Sequence, residues 1–379
     1  MASRLPLRIG SFEPVVPVVL APMAGVTNAA FRQVCRSFAP DLVYVNEMVM
    51  ATAVVHGNEK TERMMTFGPD ERPRSLQIYG SDPDLVGRAV FRVCDAGRVD
   101  HVDLNFGCPA AKVTRRGGGA AVPAKPHLLE AIVRAAVRAA DPYGVPVTAK
   151  FRMGLRDDLL TYLRSGTICA EEGVAWIALH ARTVEQHYAG DARWEAIAAL
   201  KATVGSIPVL GNGDVWEAHD ALRMMRATGC NGVVVGRGCL GRPWLFRDLA
   251  DVFAGREPRD PPGLREVFSI MLEHARLLAA WFGERHGVRG FRKHGSWYTK
   301  GFPHSARLRP LLMQVETLAQ LEAVLEAHAA DEPFPPSALR VPRGKTGGTQ
   351  RVALPEGWLL DRDDPTPPGV EAEDETSGG

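Results

Sequence analysis

The chain has 379 residues, of which 45% are hydrophobic and 23% charged, and its formal net charge is +1. That length accommodates an α/β barrel of about 250 residues with structure to spare, and the balance excludes a largely disordered chain or a uniformly basic nucleic-acid coat. Six cysteines without a CxxC pair point to a reducing cytoplasm rather than to a zinc site or a disulfide framework, and no run approaches the ~18 apolar residues of a membrane span.

In chain order, Val15 to Leu20 is apolar but interrupted by Pro17, and it runs into Ala21-Pro22-Met23-Ala24-Gly25. It reads as a strand meeting a turn rather than as a signal peptide. Eight short apolar or alternating runs then recur: Val18 to Ala21, Leu42 to Asn46, Ser75 to Tyr79, Val102 to Phe106, Val145 to Phe151, Trp176 to His180, Ile207 to Gly211 and Gly232 to Val235. Segments with helical spacing lie between them, among them Pro126 to Ala140, Leu159 to Glu172 and Trp216 to Thr228. Eight alternations predict a (β/α)8 TIM barrel over residues 1–255, with a doubly wound sheet as the alternative.

The fourth run is the most informative. Val102, Leu104 and Phe106 alternate with polar residues, and the run stops at Gly107-Cys108-Pro109. Glycine lets the backbone turn and proline cannot continue a ladder, so Cys108 begins a loop just past a strand end. That loop carries Lys112, Arg115 and Arg116 before Gly117, Gly118 and Gly119, and is expected to be mobile and to favour phosphate. A buried, inert structural cysteine is the competing reading.

Polar residues gather at the other strand ends too: Gln77, Asn105, Lys150, His180 with Arg182, Asn212-Gly213-Asp214 and Gly236-Arg237. Barrel active sites lie at that face, and the loops after strands seven and eight commonly hold a cofactor phosphate on backbone N–H groups. Lys150 in a barrel mouth requires an anionic partner, which a reduced flavin ring or a carboxylate such as Asp103 or Glu47 would supply.

After Ala254 the pattern changes. Pro258, Pro261, Pro262 and Gly263 read as a linker, and Leu264 to Phe282 and Leu318 to His328 have helical spacing, which predicts a small all-helical domain over 256–335. Between those helices, Arg289, Arg292 and Lys293 are interleaved with Phe291, Trp297 and Tyr298, a composition suited to a phosphate backbone, or to a core with solvated arginines. Residues 336–379 are Pro- and Gly-rich and end in an acidic tract, which predicts a disordered tail.

Taken together, Ala21 to Thr27, Leu76-Gln77-Ile78-Tyr79-Gly80, Asp103 to Ala110, Ala149-Lys150-Phe151-Arg152, His180-Ala181-Arg182-Thr183, Gly211 to Asp214, Gly236-Arg237-Gly238 and Gly241-Arg242-Pro243-Trp244 resemble the tRNA-dihydrouridine synthase family, in its bacterial B-type branch. Arg292-Lys293-His294 and Lys300 to Pro303 extend the resemblance into the helical region. It implies a monomeric, metal-free, cytoplasmic FMN enzyme, driven by NADPH, that reduces a uridine in the D loop of tRNA. By motif position Pro22, Met23, Ala24, Gln77, Lys150 and His180 would meet the flavin. Asn212, Gly213, Asp214, Gly236 and Arg237 would hold its phosphate, and Cys108 would donate a proton to the base. Asn105 and Arg182 are candidates to grip uracil, with Lys112, Arg115, Arg116, Arg289, Arg292 and Lys293 on the RNA. Two departures stand out: Phe106 occupies a position where a smaller or sulfur-containing residue is common, and Arg115 to Val122 is unusually rich in glycine. A barrel flavoprotein reducing a free pyrimidine or a small enone, and an RNA-binding or tRNA-folding factor that has lost turnover, are the alternatives.

Overall fold

The computed structural model describes residues 7–345 and 347–368. Eight parallel strands form the barrel: β1 (Val18–Leu20), β2 (Val43–Tyr44), β3 (Ser75–Tyr79), β4 (His101–Phe106), β5 (Val147–Arg152), β6 (Ile177–His180), β7 (Val209–Asn212) and β8 (Gly232–Val235), and a ninth, two-residue strand, Val49–Met50, pairs parallel with β3. All eight lie within a residue or two of the runs read from the sequence. β1 pairs with both β8 and β2, and the ring closes where Val45 bridges Ser75 and the Asn46 N–H donates to the Ser75 carbonyl at 2.9 Å.

Alternation decides what each strand presents. On β4, Val102, Leu104 and Phe106 join the main apolar core, while His101, Asp103 and Asn105 form the opposite face, directed into the barrel. Parallel register then sets the polar residues side by side: Gln77 opposite Asp103, Asn105 opposite Lys150, and His180 opposite both Arg152 and Asn212. A second apolar cluster, from Val19, Val43, Val45, Ala178, Leu210 and Val234, is joined by Leu7 and Ile9 of the N-terminal segment.

The segment between β5 and β6 differs from its sequence reading. Leu159–Leu160 pairs with Gly154–Arg156 as a small hairpin, so the helix begins only at Tyr162.

Helices Leu264–Phe282, Glu284–Tyr298, Ser305–Leu312 and Leu318–Ala327 follow the barrel. The basic and aromatic stretch read as lying between helices is itself a helix. Its apolar face, Val288, Phe291 and Tyr298, is fully buried, and shares a core with Ala30 and Trp244 of the barrel. Gly241 makes the junction close, because a Cβ there would collide with the Trp297 backbone.

The C-terminal segment departs most from expectation. Up to Pro368 it packs on the barrel, with Trp358 only 6% exposed and Val352, Leu354 and Leu359 against the main core. The expected disorder ignored these apolar anchors, which are spaced too far apart to show periodicity. Glu371, Glu373, Asp374 and Glu375 of the acidic tract lie outside the described residues.

Candidate active site

A buried polar ladder underlies the barrel mouth. His101 Nε2 meets Thr148 Oγ1 at 2.8 Å, and that hydroxyl donates to Asp103 Oδ1 at 2.6 Å. Gln77 Nε2 donates to Asp103 Oδ2 at 2.6 Å, and Asn105 Nδ2 donates to Gln77 Oε1 at 2.8 Å. The far oxygen of Asn105 accepts from the Gly107 N–H at 3.0 Å and the Cys108 N–H at 2.9 Å. Both ends of the Asn105 amide are therefore occupied, and it holds the turn that carries Cys108 instead of waiting for a base. Gln77, 1% exposed, is equally committed and belongs to the frame.

The Cys108 thiol is half-buried, whereas the other five cysteines are fully buried. Burial pushes its pKa up, against the opposing pull of Arg152, Lys345 and Lys112. It stays a neutral thiol at physiological pH. Arg152, named in the sequence reading only as the end of the Ala149–Arg152 motif, donates to the Gly107 carbonyl at 3.1 Å and to the Thr183 and His187 carbonyls at 2.9 Å each. It braces the Cys108 turn from the far side.

A small cavity of about 90 Å³ opens between the ends of β1, β7 and β8, lined by Pro22, Met23, Lys150, His180, Arg182, Asn212, Gly213, Asp214, Gly236 and Arg237 among others. Three of these side chains are cationic and one is a carboxylate. Asp214 accepts both bonds of Arg182 Nη2, at 2.9 and 2.8 Å, and the Ala192 N–H at 2.7 Å. This pairing neutralises the Asp214 carboxylate and engages one nitrogen of Arg182, which is 2% exposed.

The net cationic excess thus rests on Lys150 and Arg237. Burial and the neighbouring Arg152 lower the Lys150 ammonium to a pKa of about 8, and its ammonium has no hydrogen bond or ion pair among the described residues. Arg237 lies 4.1 Å from the Tyr188 ring centroid. Burial, with Arg152 and Lys150 nearby, holds His180 well below its ordinary pKa, so the imidazole is neutral. Arg182 Nη1 is buried without a partner among the described residues. These features fit an anionic end group.

A larger cavity of about 1030 Å³ lies on the other side of the Pro22–Gly25 turn. Its wall includes Ala24, Glu47, Tyr79, Lys60, Arg63, Lys112 and Arg116 from the barrel, and Phe282 and His286 from the helical domain. Glu47 accepts from the Gly25 N–H at 2.6 Å and so fixes the turn between the two cavities. Cys108 lines neither cavity. It stands between them, with Lys112 and Val113 of its own loop on the large one and Lys150, the cross-strand partner of Asn105, on the small one.

The basic residues of the helical domain separate into two groups. Arg289 is exposed. Arg292 instead donates to the Val315 carbonyl at 2.9 Å, and Lys293 to the Gly25 carbonyl at 2.5 Å. Arg292 is thereby tied within the helical domain, while Lys293, itself exposed, ties that domain to the Pro22–Gly25 turn. Arg115 is exposed, but the loop it belongs to is not loose: Ala111–Thr114 is helical and Gly119–Ala124 is a 3-10 turn. Among the described residues no cluster of three or more His, Cys, Asp or Glu is arranged for a metal ion, and no helix is long and apolar enough to cross a membrane.

Comparison with known proteins identifies the family. The family model described as dihydrouridine synthase matches residues 19–333. The chain is 52% identical over 373 residues to a probable tRNA-dihydrouridine synthase of Mycobacterium tuberculosis, covering 97% of this chain and 96% of that protein. It is 37% identical over 311 residues to tRNA-dihydrouridine synthase B of Xanthomonas axonopodis pv. citri, covering 82% and 92% respectively. Among solved structures, histamine dehydrogenase from Rhizobium sp. 4-9 matches at 12% identity with a TM-score of 0.50, over 76% of this chain and 50% of that one, a likeness of fold alone. A family match across the barrel and most of the helical domain, with a relative of 52% identity over nearly the whole of both chains, settles the assignment: the chain belongs to the dihydrouridine synthase family of tRNA-modifying oxidoreductases.

Proposed function

We propose that the chain reduces the carbon 5=carbon 6 bond of a D-loop uridine in tRNA to 5,6-dihydrouridine, with FMN as cofactor, NADPH as reductant and Cys108 as proton donor. The observation that carries this reading is the half-buried Cys108 thiol, whose turn lies between a small cationic cavity and a large cavity with a basic rim. Pro22, Met23, Ala24, Lys150 and His180 would meet the flavin ring. The backbone of Asn212, Gly213, Asp214 and Gly236, with the Arg237 side chain, would hold its phosphate. FMN held there would supply the hydride for carbon 6, the electrophilic end of the conjugated system.

The protein's own residues complete the addition. Cys108 delivers a proton to carbon 5, breaking its S–H bond as the C–H bond forms, and the thiolate is reprotonated by water. A thiol is suited to this only while neutral, and burial keeps it so. Asn105 and Arg152 hold its turn from two sides. The target base must leave its stack, at a cost of a few kcal/mol. Lys112, Arg115, Arg116 and Arg289 would offset that cost on the phosphates.

The test is replacement of Cys108 by Ala. Flavin should stay bound and NADPH should still reduce it, while dihydrouridine formation measured by mass spectrometry of tRNA falls by about 10²-fold or more. Undiminished product would remove Cys108 from the reaction, and a protein that cannot bind FMN would remove the flavoenzyme reading.

A further inference from the structure

The glycine-rich run Gly117-Gly118-Gly119 is unexplained by phosphate binding, and the segment that follows the helical domain is unexplained by RNA. Each accounts for the other. The family match ends at residue 333, and beyond it the chain runs back over the barrel mouth. It leaves the domain junction at Arg343, 1% exposed, whose Nε donates to the Trp297 carbonyl at 3.0 Å. It passes Arg237, which donates to the Lys345 carbonyl at 3.2 Å. At Gln350 it reaches the active-site loop: Nε2 donates to the Pro109 carbonyl at 2.9 Å, and the backbone N–H to the Glu185 carbonyl at 2.8 Å.

Further along, Trp358 inserts against the loop itself, with Nε1 donating to the Ala121 carbonyl at 3.1 Å. Gly117 has a left-handed φ of 72°, and a Cβ there would stand 2.7 Å from the Trp358 ring. Only glycine admits the indole. Lys125, 5% exposed, lies 4.7 Å from the Trp358 ring centroid and pairs with Asp364 at 2.9 Å, while Arg362 donates to the Ala124 carbonyl at 2.9 Å. These ties all fall on the residues just after Cys108. They connect to it through the Ala120 N–H, which donates to the Cys108 carbonyl at 3.2 Å.

We propose that residues 340–345 and 347–368 form a strap that holds the Cys108 loop in place, with Trp358 and Gln350 as positioning residues for the reaction at Cys108. The strap adds a wall at the barrel mouth between Arg237 and Pro109, and it replaces the freedom of a triple-glycine loop with fixed packing. The effect on turnover rests on the proton-donor reading of Cys108; the effect on the thiol's accessibility does not.

The experiment is alkylation of the native full-length flavoprotein with iodoacetamide. Cys108 is the least buried cysteine, and the Cys108→Ala protein supplies the blank. Trp358→Ala and Gln350→Ala should each label about tenfold faster, and kcat should fall about tenfold while KM for tRNA and flavin content hold, the shift expected from losing one or two local ties. Trp358→Phe keeps a ring against Gly117 and Lys125 and should restore slow labelling. Gln350 is only partly buried, so its variant keeps the core intact should Trp358→Ala fold poorly. Unchanged labelling in Gln350→Ala would overturn the strap, and a rise in kcat would make the segment a brake instead of a support. If Cys108→Ala retains full activity, the proton-donor reading falls and the labelling rates still decide the strap.

Discussion

Lys150 has an unusual position for a lysine, half-buried beside Arg152 with its cross-strand neighbour Asn105 engaged elsewhere. Its lowered pKa of about 8 has a definite sign. A depressed folded pKa means that the native protein holds the charged form at a disadvantage, so its contribution to stability is present at high pH and lost as pH falls through about 8. A bound anion reverses that preference. FMN affinity should therefore weaken as pH rises through about 8, when the free protein's Lys150 loses its charge, and Lys150→Met should be weaker throughout and flat over that range. Flavin fluorescence titrations between pH 7 and 9.5 check this; an equally steep pH dependence in the variant would take Lys150 out of the flavin site. Cys108 shows the same logic in reverse, because burial of a thiol favours its neutral form, the form a proton donor requires.

At the scale of elements, the junction between the barrel and the helical domain carries a histidine pair. His274 and His294 have ring centroids 4.5 Å apart, and both pack against Phe31 of the helix Ala29–Phe38. Burial lowers His274 to a pKa of about 3 and His294 well below its ordinary value, with Lys293 adding to both shifts. Because the folded pKa values are depressed, the stability they allow is complete above about pH 6.5 and erodes as pH falls. The expected slope is about 1.4 kcal/mol per pH unit for each histidine. Thermal melts between pH 7 and 4.5 should show this acid limb, and His274→Phe should flatten it. A limb of unchanged steepness would place the acid sensitivity elsewhere. The helix Glu284–Tyr298 separates its arginines just as clearly. Arg292→Ala should lower stability by about 1 kcal/mol through the lost bond to Val315. Arg289→Ala should leave the melting temperature alone and reduce the salt slope of tRNA binding by about 0.7–0.9 per phosphate contact. Binding isotherms at several salt concentrations alongside melts separate the two; equal effects on both readouts would erase the distinction.

Over the whole molecule, the barrel was legible because its signal is periodic. Eight runs of alternating or apolar residues determine eight strands, and the parallel register follows once they close. The polar strand ends, Cys108 past β4 and the two glycine pairs after β7 and β8 were equally plain, since a barrel gathers strand ends on one face whatever its loops do. The motifs also identified the family, because many short patterns in fixed order constrain each other. What the sequence by itself could not assign was partnership. Arg182 and Asp214 looked like separate ligand-binding residues, Lys293 and Arg292 like RNA contacts, and Trp358 fell unnoticed within a stretch read only as a Pro- and Gly-rich tail. Only the tertiary structure pairs Arg182 with Asp214, Lys293 with the Gly25 carbonyl and Trp358 with Gly117. The physical reason is that periodicity is a local property of the chain, while the partner of a charge or a single buried ring is chosen by what folding brings within a few ångströms of it.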